Sequence, residues 1–182
     1  DLSISLFKFE HDFYKKNGLH NLLLGHHYAD LEKGDISNII NKYDFDEENK
    51  FVSILPGSRK SEIKNMMPTY IEFMQLYERT NKNVVFLIPA VNENDAQLIE
   101  SYLEKEKINY KVEVNAANDF LSLSEFSVVT SGTASLQSSV LGSHPIICYK
   151  TSFFNYFVIS RMIQTEIIGL PNLLLSEKVF PE

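Results

Sequence analysis

Two kinds of hydrophobic pattern alternate along most of this chain. Short β-branched and aliphatic runs at 51–55, 83–90, 110–114, 127–130 and 145–149 predict strands. Between them, apolar residues recur at helical spacing. Ile63, Met67, Tyr70, Met74 and Tyr77 mark one helix over 63–79, in which Pro68 demands a break or a first-turn position. Leu98, Ile99, Tyr102 and Leu103 give the inward side of a second over 93–105, and shorter helices fit 119–124 and 134–141. Strands that alternate with helices in this way imply an α/β fold, a parallel sheet covered on both faces. Such sheets bind ligands where strands end and helices begin, which points to 56–59, 115–118, 131–133 and 149–150.

The two ends of the chain read differently. Residues 2–7 predict a strand, and a chain that opens without Met in mid-strand is expected to be part of a longer protein. Residues 32–50 are charged and Asn-rich, which predicts a surface connection with a short helix at 36–41 and a domain boundary. Later, Phe153, Phe154, Phe157, Ile159 and Ile163 help cover most of a helix circumference. That pattern predicts a helix packed between the sheet and a partner domain, with a sharper alternative in which these residues meet an acyl chain or a bilayer surface.

Composition narrows the chemistry. With 44% hydrophobic residues, 13 Phe and 9 Tyr in 182, the chain can bury a core. Its net charge of −7 argues against a broad nucleic-acid surface, yet a single phosphate pocket needs only one or two cations. Cys148 is the only cysteine, so no intrachain disulfide or Cys-rich zinc site can form, and a reducing compartment such as the cytoplasm is expected. No run approaches the ~18 apolar residues of a membrane span.

Candidate chemistry sits in two turns. In Pro56-Gly57-Ser58-Arg59, Pro and Gly force a tight exit from a strand, Ser58 offers a hydroxyl, and Arg59 offers a planar fork of donors suited to phosphate oxygens. The bland alternative is a surface turn with a solvated Arg. Ser131-Gly132-Thr133 stands where a strand gives way to a helix, so free N–H groups and the helix dipole would favour a phosphate, unless Ser or Thr serves as a plain N-cap. The spacings GxxxxGK[ST], GxGxxG, GxSxG and HExxH are all missing. Adjacent His26 and His27 would point oppositely on a strand, and Asp44-Phe45-Asp46 reads as a solvated acidic loop.

Together the motifs support a resemblance. LPGSRKSEI (55–63), TSGTASLQ (130–137), ICYK (147–150), GLPNLLL (169–175) and the closing VFPE, preceded by LFKFEHDFYKKNG (6–18) and GHHYAD (25–30), are similar to the carboxyl-terminal half of lipid-A-disaccharide synthases. The resemblance implies a GT-B glycosyltransferase with Rossmann-like domains. Residues 1–30 would end the amino-terminal, acceptor-side domain and its hinge, and 31–182 would form the UDP-sugar-binding domain. The implied reaction joins UDP-2,3-diacylglucosamine to 2,3-diacylglucosamine 1-phosphate with inversion and without a metal or other cofactor. It would run on the cytoplasmic side of the inner membrane of a Gram-negative bacterium, with no nucleic-acid partner and a homodimer left open.

Carried over by position, Gly57, Ser58 and Arg59 would meet the diphosphate, with Glu62 orienting Arg59. Ser131, Gly132 and Thr133 would offer N–H groups and hydroxyls to the phosphates. Asn118, Tyr149 and Lys150 would line the cleft, and Asn172 would reach the donor. Gln137 stands where the family has a ribose-binding Glu, and an amide accepts with less strength than a carboxylate. No catalytic residue is expected in these 182 residues, since the family's general base lies in the other domain, so the fragment alone should be inactive. Other GT-B enzymes, a UDP-sugar epimerase, or a noncatalytic UDP-binding domain remain the alternatives.

Overall fold

A computed structural model describes residues 2–150 and 167–182. The apolar segment around Phe153 to Ile163 lies outside the described residues. The chain divides into two compact units, 1–32 and 33–182.

The first unit is a single strand–helix–strand turn. Strands β1 (Ser3–Ser5) and β2 (Asn21–Leu23) pair in parallel through helix α1 (Lys8–Lys16). The Asn21 amide donates to the hydroxyls of Ser3 and Ser5, at 2.9 and 2.8 Å, and its carbonyl faces His11 Nδ1. The strand expected over 2–7 is thus shorter, because Phe7 already caps α1, with Glu10 accepting its N–H. His26 and His27 are not on a strand. They enter a 3₁₀ turn, His27–Asp30, with their rings stacked 4.5 Å apart instead of pointing oppositely.

The second unit carries the expected α/β architecture. Five parallel strands, β3 (Lys50–Leu55), β4 (Val84–Ala90), β5 (Tyr110–Val114), β6 (Phe126–Thr130) and β7 (His144–Cys148), lie in the order β5-β4-β3-β6-β7. Alternation along β3 sorts its side chains. Val52 and Ile54 face helices α3 (Lys60–Thr80) and α4 (Glu93–Leu103), where Phe86, Ile88, Met67, Tyr70 and Ile99 complete the larger core. Phe51 faces the other way, with Val85, Leu87 and Phe120, under helices α2 (Ile36–Tyr43) and α5 (Ala117–Leu123).

The connector at 32–50 is therefore no mere linker. Ile39 is buried, Phe45 packs on Phe51, and Asp119 of α5 takes bonds from both Lys42 and Tyr43. Helix α6 (Thr133–Val140) covers β6 and β7 with serines: Ser138 bonds the hydroxyl of Ser127 and the carbonyl of Ser143. Helix α7 (Leu170–Leu175) follows, and the Ile147 N–H donates to Pro181 O, 2.8 Å away, on the open side of edge strand β7.

Pro68 neither breaks α3 nor stands in its first turn; it lies in the interior of a continuous 21-residue helix. Burial of Ile63, Met66, Met67, Tyr70 and Met74 along one side outweighs the hydrogen bond that Pro68 cannot make. Pro68→Ala should raise stability by about 1–2 kcal/mol, a restored helical bond less the entropy that proline removes from the unfolded chain. Urea denaturation checks this, and no change or a loss would mean that the sheet requires a bend in α3.

Candidate functional site

Parallel strands bring every strand-to-helix turn to one edge, and the strand order decides which turns are neighbours. The chain runs outward from β3 to β4 and β5, then returns to place β6 on the other side of β3. Between β3 and β6 the two successor segments diverge, and in open α/β sheets this topological switch point is where a ligand crevice is expected. The 56–59 turn leaves β3 and the 131–133 turn leaves β6, so the two sequence candidates flank that point. Tyr149 and Lys150, both exposed, leave β7 one strand further along.

The first turn is held by its own helix. Glu62 Oε2 accepts the N–H groups of Ser58 and Arg59 at 3.0 and 3.3 Å, and its Oε1 lies 2.8 Å from Arg59 Nη1. The Glu62 side chain fills the space above Gly57, whose φ is +112°; a Cβ there would stand 2.5 Å from Glu62 Oε2. Glycine is required for both reasons. Among the described residues only one nitrogen of the Arg59 fork has a partner, and its side chain is 79% exposed.

The second turn is built otherwise. Gly132 is the N-cap of α6, with no side chain capping its first N–H groups, so neither Ser131 nor Thr133 is the plain N-cap. The Ser131 N–H does not face a phosphate as expected, because it closes the β6–β7 ladder on Cys148 O at 2.8 Å. Its hydroxyl reaches Ile168 O at 3.4 Å. Gly132 and Thr133, both exposed, are left to present the helix end. Gln137, one turn along α6, donates from Nε2 to Asn118 Oδ1 of α5 at 2.7 Å. Two residues nineteen apart in sequence thus form one polar pair.

Asn172 is corrected outright. It is fully buried, and all four hydrogen-bonding positions of its amide serve the chain itself. Nδ2 donates to Phe180 O and Glu182 Oε1, both at 2.8 Å, while Oδ1 accepts from Val179 N and Phe180 N. It is a clamp for the final segment and does not reach a ligand. Glu182 completes the clamp by accepting the N–H groups of Ile168 and Gly169 at 3.0 and 2.8 Å. The partners of Asn172 lie seven to ten residues away, without periodicity, which is why sequence pattern misses them.

Nearby polar groups that sequence reading also missed are Thr69 and Thr130. Thr69 Oγ1 accepts from Lys150 Nζ at 3.0 Å, and Thr130 Oγ1 lies 3.0 Å from Tyr70 Oη. Among the described residues no cluster of three or more His, Cys, Asp or Glu could hold a metal, and no helix is long and apolar enough to cross a membrane.

The fold and its edge define the class: a Rossmann-like parallel sheet of the GT-B kind, with two anion-suited turns at the switch point. Comparison with known proteins agrees. A profile of the lipid-A-disaccharide synthetase family matches residues 1–182, and the chain belongs to that family. It is 30% identical over 186 residues to lipid-A-disaccharide synthase 2 of Legionella pneumophila, covering 100% of this chain and 48% of that protein. It is 30% identical over 184 residues to lipid-A-disaccharide synthase of Azoarcus sp., covering 98% and 47%. The chain thus spans about half the length of the curated relatives it matches. A solved structure titled "S. aureus MnaA-UDP co-structure" superposes with a TM-score of 0.60 at 14% identity, over 97% of this chain and 50% of that one, a likeness of fold.

The clamp yields a pH prediction. Burial works to raise the Glu182 carboxyl, but hydrogen bonds from Asn172 and the Ile168 and Gly169 amides, with the charge of Lys178, hold it below its usual 4.5. A lowered folded-state value means stabilisation that is complete above 4.5 and is lost as pH falls through the folded value. Glu182→Gln should therefore lower the melting temperature at pH 7, and the gap to the unsubstituted chain should close in acid. A gap independent of pH would show that the carboxylate charge contributes nothing.

Proposed function

We propose that this chain is the donor-nucleotide half of a glycosyltransferase that joins UDP-2,3-diacylglucosamine to 2,3-diacylglucosamine 1-phosphate, with inversion, releasing UDP. The observation that carries the proposal is the family match along 1–182, with the LPGSR and SGTA motifs at the carboxyl ends of the paired strands β3 and β6. In this reading 31–182 holds the nucleotide, and 1–30 closes an acceptor-side domain. Support for the second point comes from Leu2, Ile4, Leu22 and Leu24. They stand 68%, 59%, 53% and 69% exposed beside a two-stranded parallel pair, and parallel sheets are normally covered on both faces.

Chemically, the departing group is a diphosphate, so the task of this half is to stabilise negative charge as the sugar–phosphate bond breaks. Arg59 supplies the guanidinium, aimed by Glu62, with its uncommitted nitrogens toward phosphate oxygens. The amino end of α6 at Gly132 and Thr133 supplies dipole and amide donors, and Lys150 supplies a second cation. No metal is assigned. The acceptor hydroxyl would attack the anomeric carbon from the face opposite the diphosphate, with its proton taken by a base outside this chain. In this reading the acylated substrates bring the reaction to a membrane surface, taken as the cytoplasmic face of the inner membrane.

Mass-spectrometric detection of the acylated disaccharide 1-phosphate from both substrates, using the full-length protein, tests the proposal; turnover of a plain UDP-sugar without it would sink it. Two substitutions test the site by calorimetry. Arg59→Ala should weaken UDP binding by roughly thirtyfold, the loss of a charge-assisted bond of about 2 kcal/mol. Unchanged affinity would remove Arg59 from the phosphate site. Gln137→Glu should strengthen UDP binding about fivefold, because a carboxylate accepts a ribose hydroxyl more strongly and Asn118 can turn its amide to donate. A tenfold weakening would instead show that the Gln137–Asn118 pair is matched to this pocket.

A further inference from the structure

Tyr70 is the largest polar side chain in the core, 1% exposed, on a helix whose first turn belongs to the proposed phosphate site. Side chains on a helix lean toward its amino end, so Tyr70 reaches back toward the carboxyl edge of the sheet. There its hydroxyl lies 3.0 Å from Thr130 Oγ1. Thr130 pairs with Cys148 as the last register pair of β6 and β7, and the next residue, Ser131, opens the second phosphate turn. The preceding helical residue, Thr69, holds Lys150 at the exit of β7. Helix α3 thus starts at one turn and is fastened, by neighbouring residues, to the ends of the two strands that carry the other groups.

We propose that Tyr70 is a positioning residue for the donor diphosphate: its bond to Thr130 fixes the 131–133 turn at a set distance from the 56–59 turn. The proposal rests on the nucleotide reading above. A purely apolar contact would serve packing equally well, yet the helix places a hydroxyl against a hydroxyl at the base of the turn. Burial raises the Tyr70 phenol above its ordinary value, so it remains protonated and able to donate throughout the physiological range. Leaving the hydroxyl of Thr130, a residue only 8% exposed, without that partner would free the end of β6 to seek another.

Calorimetry with UDP and UMP on the full-length protein separates positioning from packing. Tyr70→Phe keeps the ring and removes one hydroxyl, and it should weaken UDP about fivefold, the effect of one neutral hydrogen bond. UMP, which lacks the second phosphate, should be affected less, so the UDP-to-UMP affinity ratio falls. Thr130→Val should reproduce the loss, and Thr130→Ser, which keeps the hydroxyl, should restore the ratio. An unchanged ratio in Tyr70→Phe, or equal losses in Thr130→Ser and Thr130→Val, overturns the proposal and leaves Tyr70 as packing. If Tyr70→Phe does not fold, the Thr130 pair decides alone. Failure of the unsubstituted chain to bind UDP would overturn the nucleotide reading and this proposal with it, whereas binding with an unchanged ratio overturns this proposal alone.

Discussion

The return of β6 to the free side of β3 is the constraint on which the rest depends. Parallel pairing puts all five carboxyl ends on one edge, but it is the register Leu55 to Val129 that sets the 56–59 and 131–133 turns beside each other. Had β6 continued beyond β5, the same motifs would stand three strands apart, about 14 Å at the usual strand spacing, too far to share a diphosphate. The pairing is secured from both faces. Val52 and Val128 join the α3 and α4 core, and on the other face Ser53 meets Ser124 at 2.8 Å.

The two lips of the crevice are prepared differently, and the difference has a chemical sense. At the first, a carboxylate already sits on the backbone donors and on Arg59, so the turn is rigid and its guanidinium is aimed. At the second, a glycine caps α6 and the dipole faces outward. An aimed guanidinium and a fixed helix end together present positive charge from two sides, which is the demand of a reaction with a phosphate leaving group. The Asn172–Glu182 clamp lies behind this arrangement and anchors Ile168, whose carbonyl meets Ser131.

Much of this was legible in the sequence, and the exceptions share a cause. The central strands β3, β4 and β6 declared themselves by apolar runs because strands buried on both faces leave little room for polar alternation, whereas edge strand β5 showed itself by alternating Tyr110, Val112 and Val114 with Lys111 and Glu113. The turns that carry Arg59 and Gly132 were legible because turn chemistry is local. Asn172 was misjudged because its partners lie seven to ten residues on, without helical or strand periodicity, and a motif shared with relatives does not say which way a side chain faces. Pro68 was misjudged because local propensity lost to a buried stripe of five residues. The Ser131 amide was misassigned because the end of a strand ladder is set by the neighbouring strand, not by the turn itself.

The central claim is that the crevice between β3 and β6 holds a nucleotide diphosphate. Amide chemical-shift mapping of the 15N-labelled chain with UDP tests it most directly. The account predicts that the largest changes fall on Gly57, Ser58, Arg59, Gly132 and Thr133, with Gln137 and Asn118 following. Changes concentrated at the opposite edge of the sheet, around Asn83, Asn109 and His144, or no changes at saturating UDP, would contradict it.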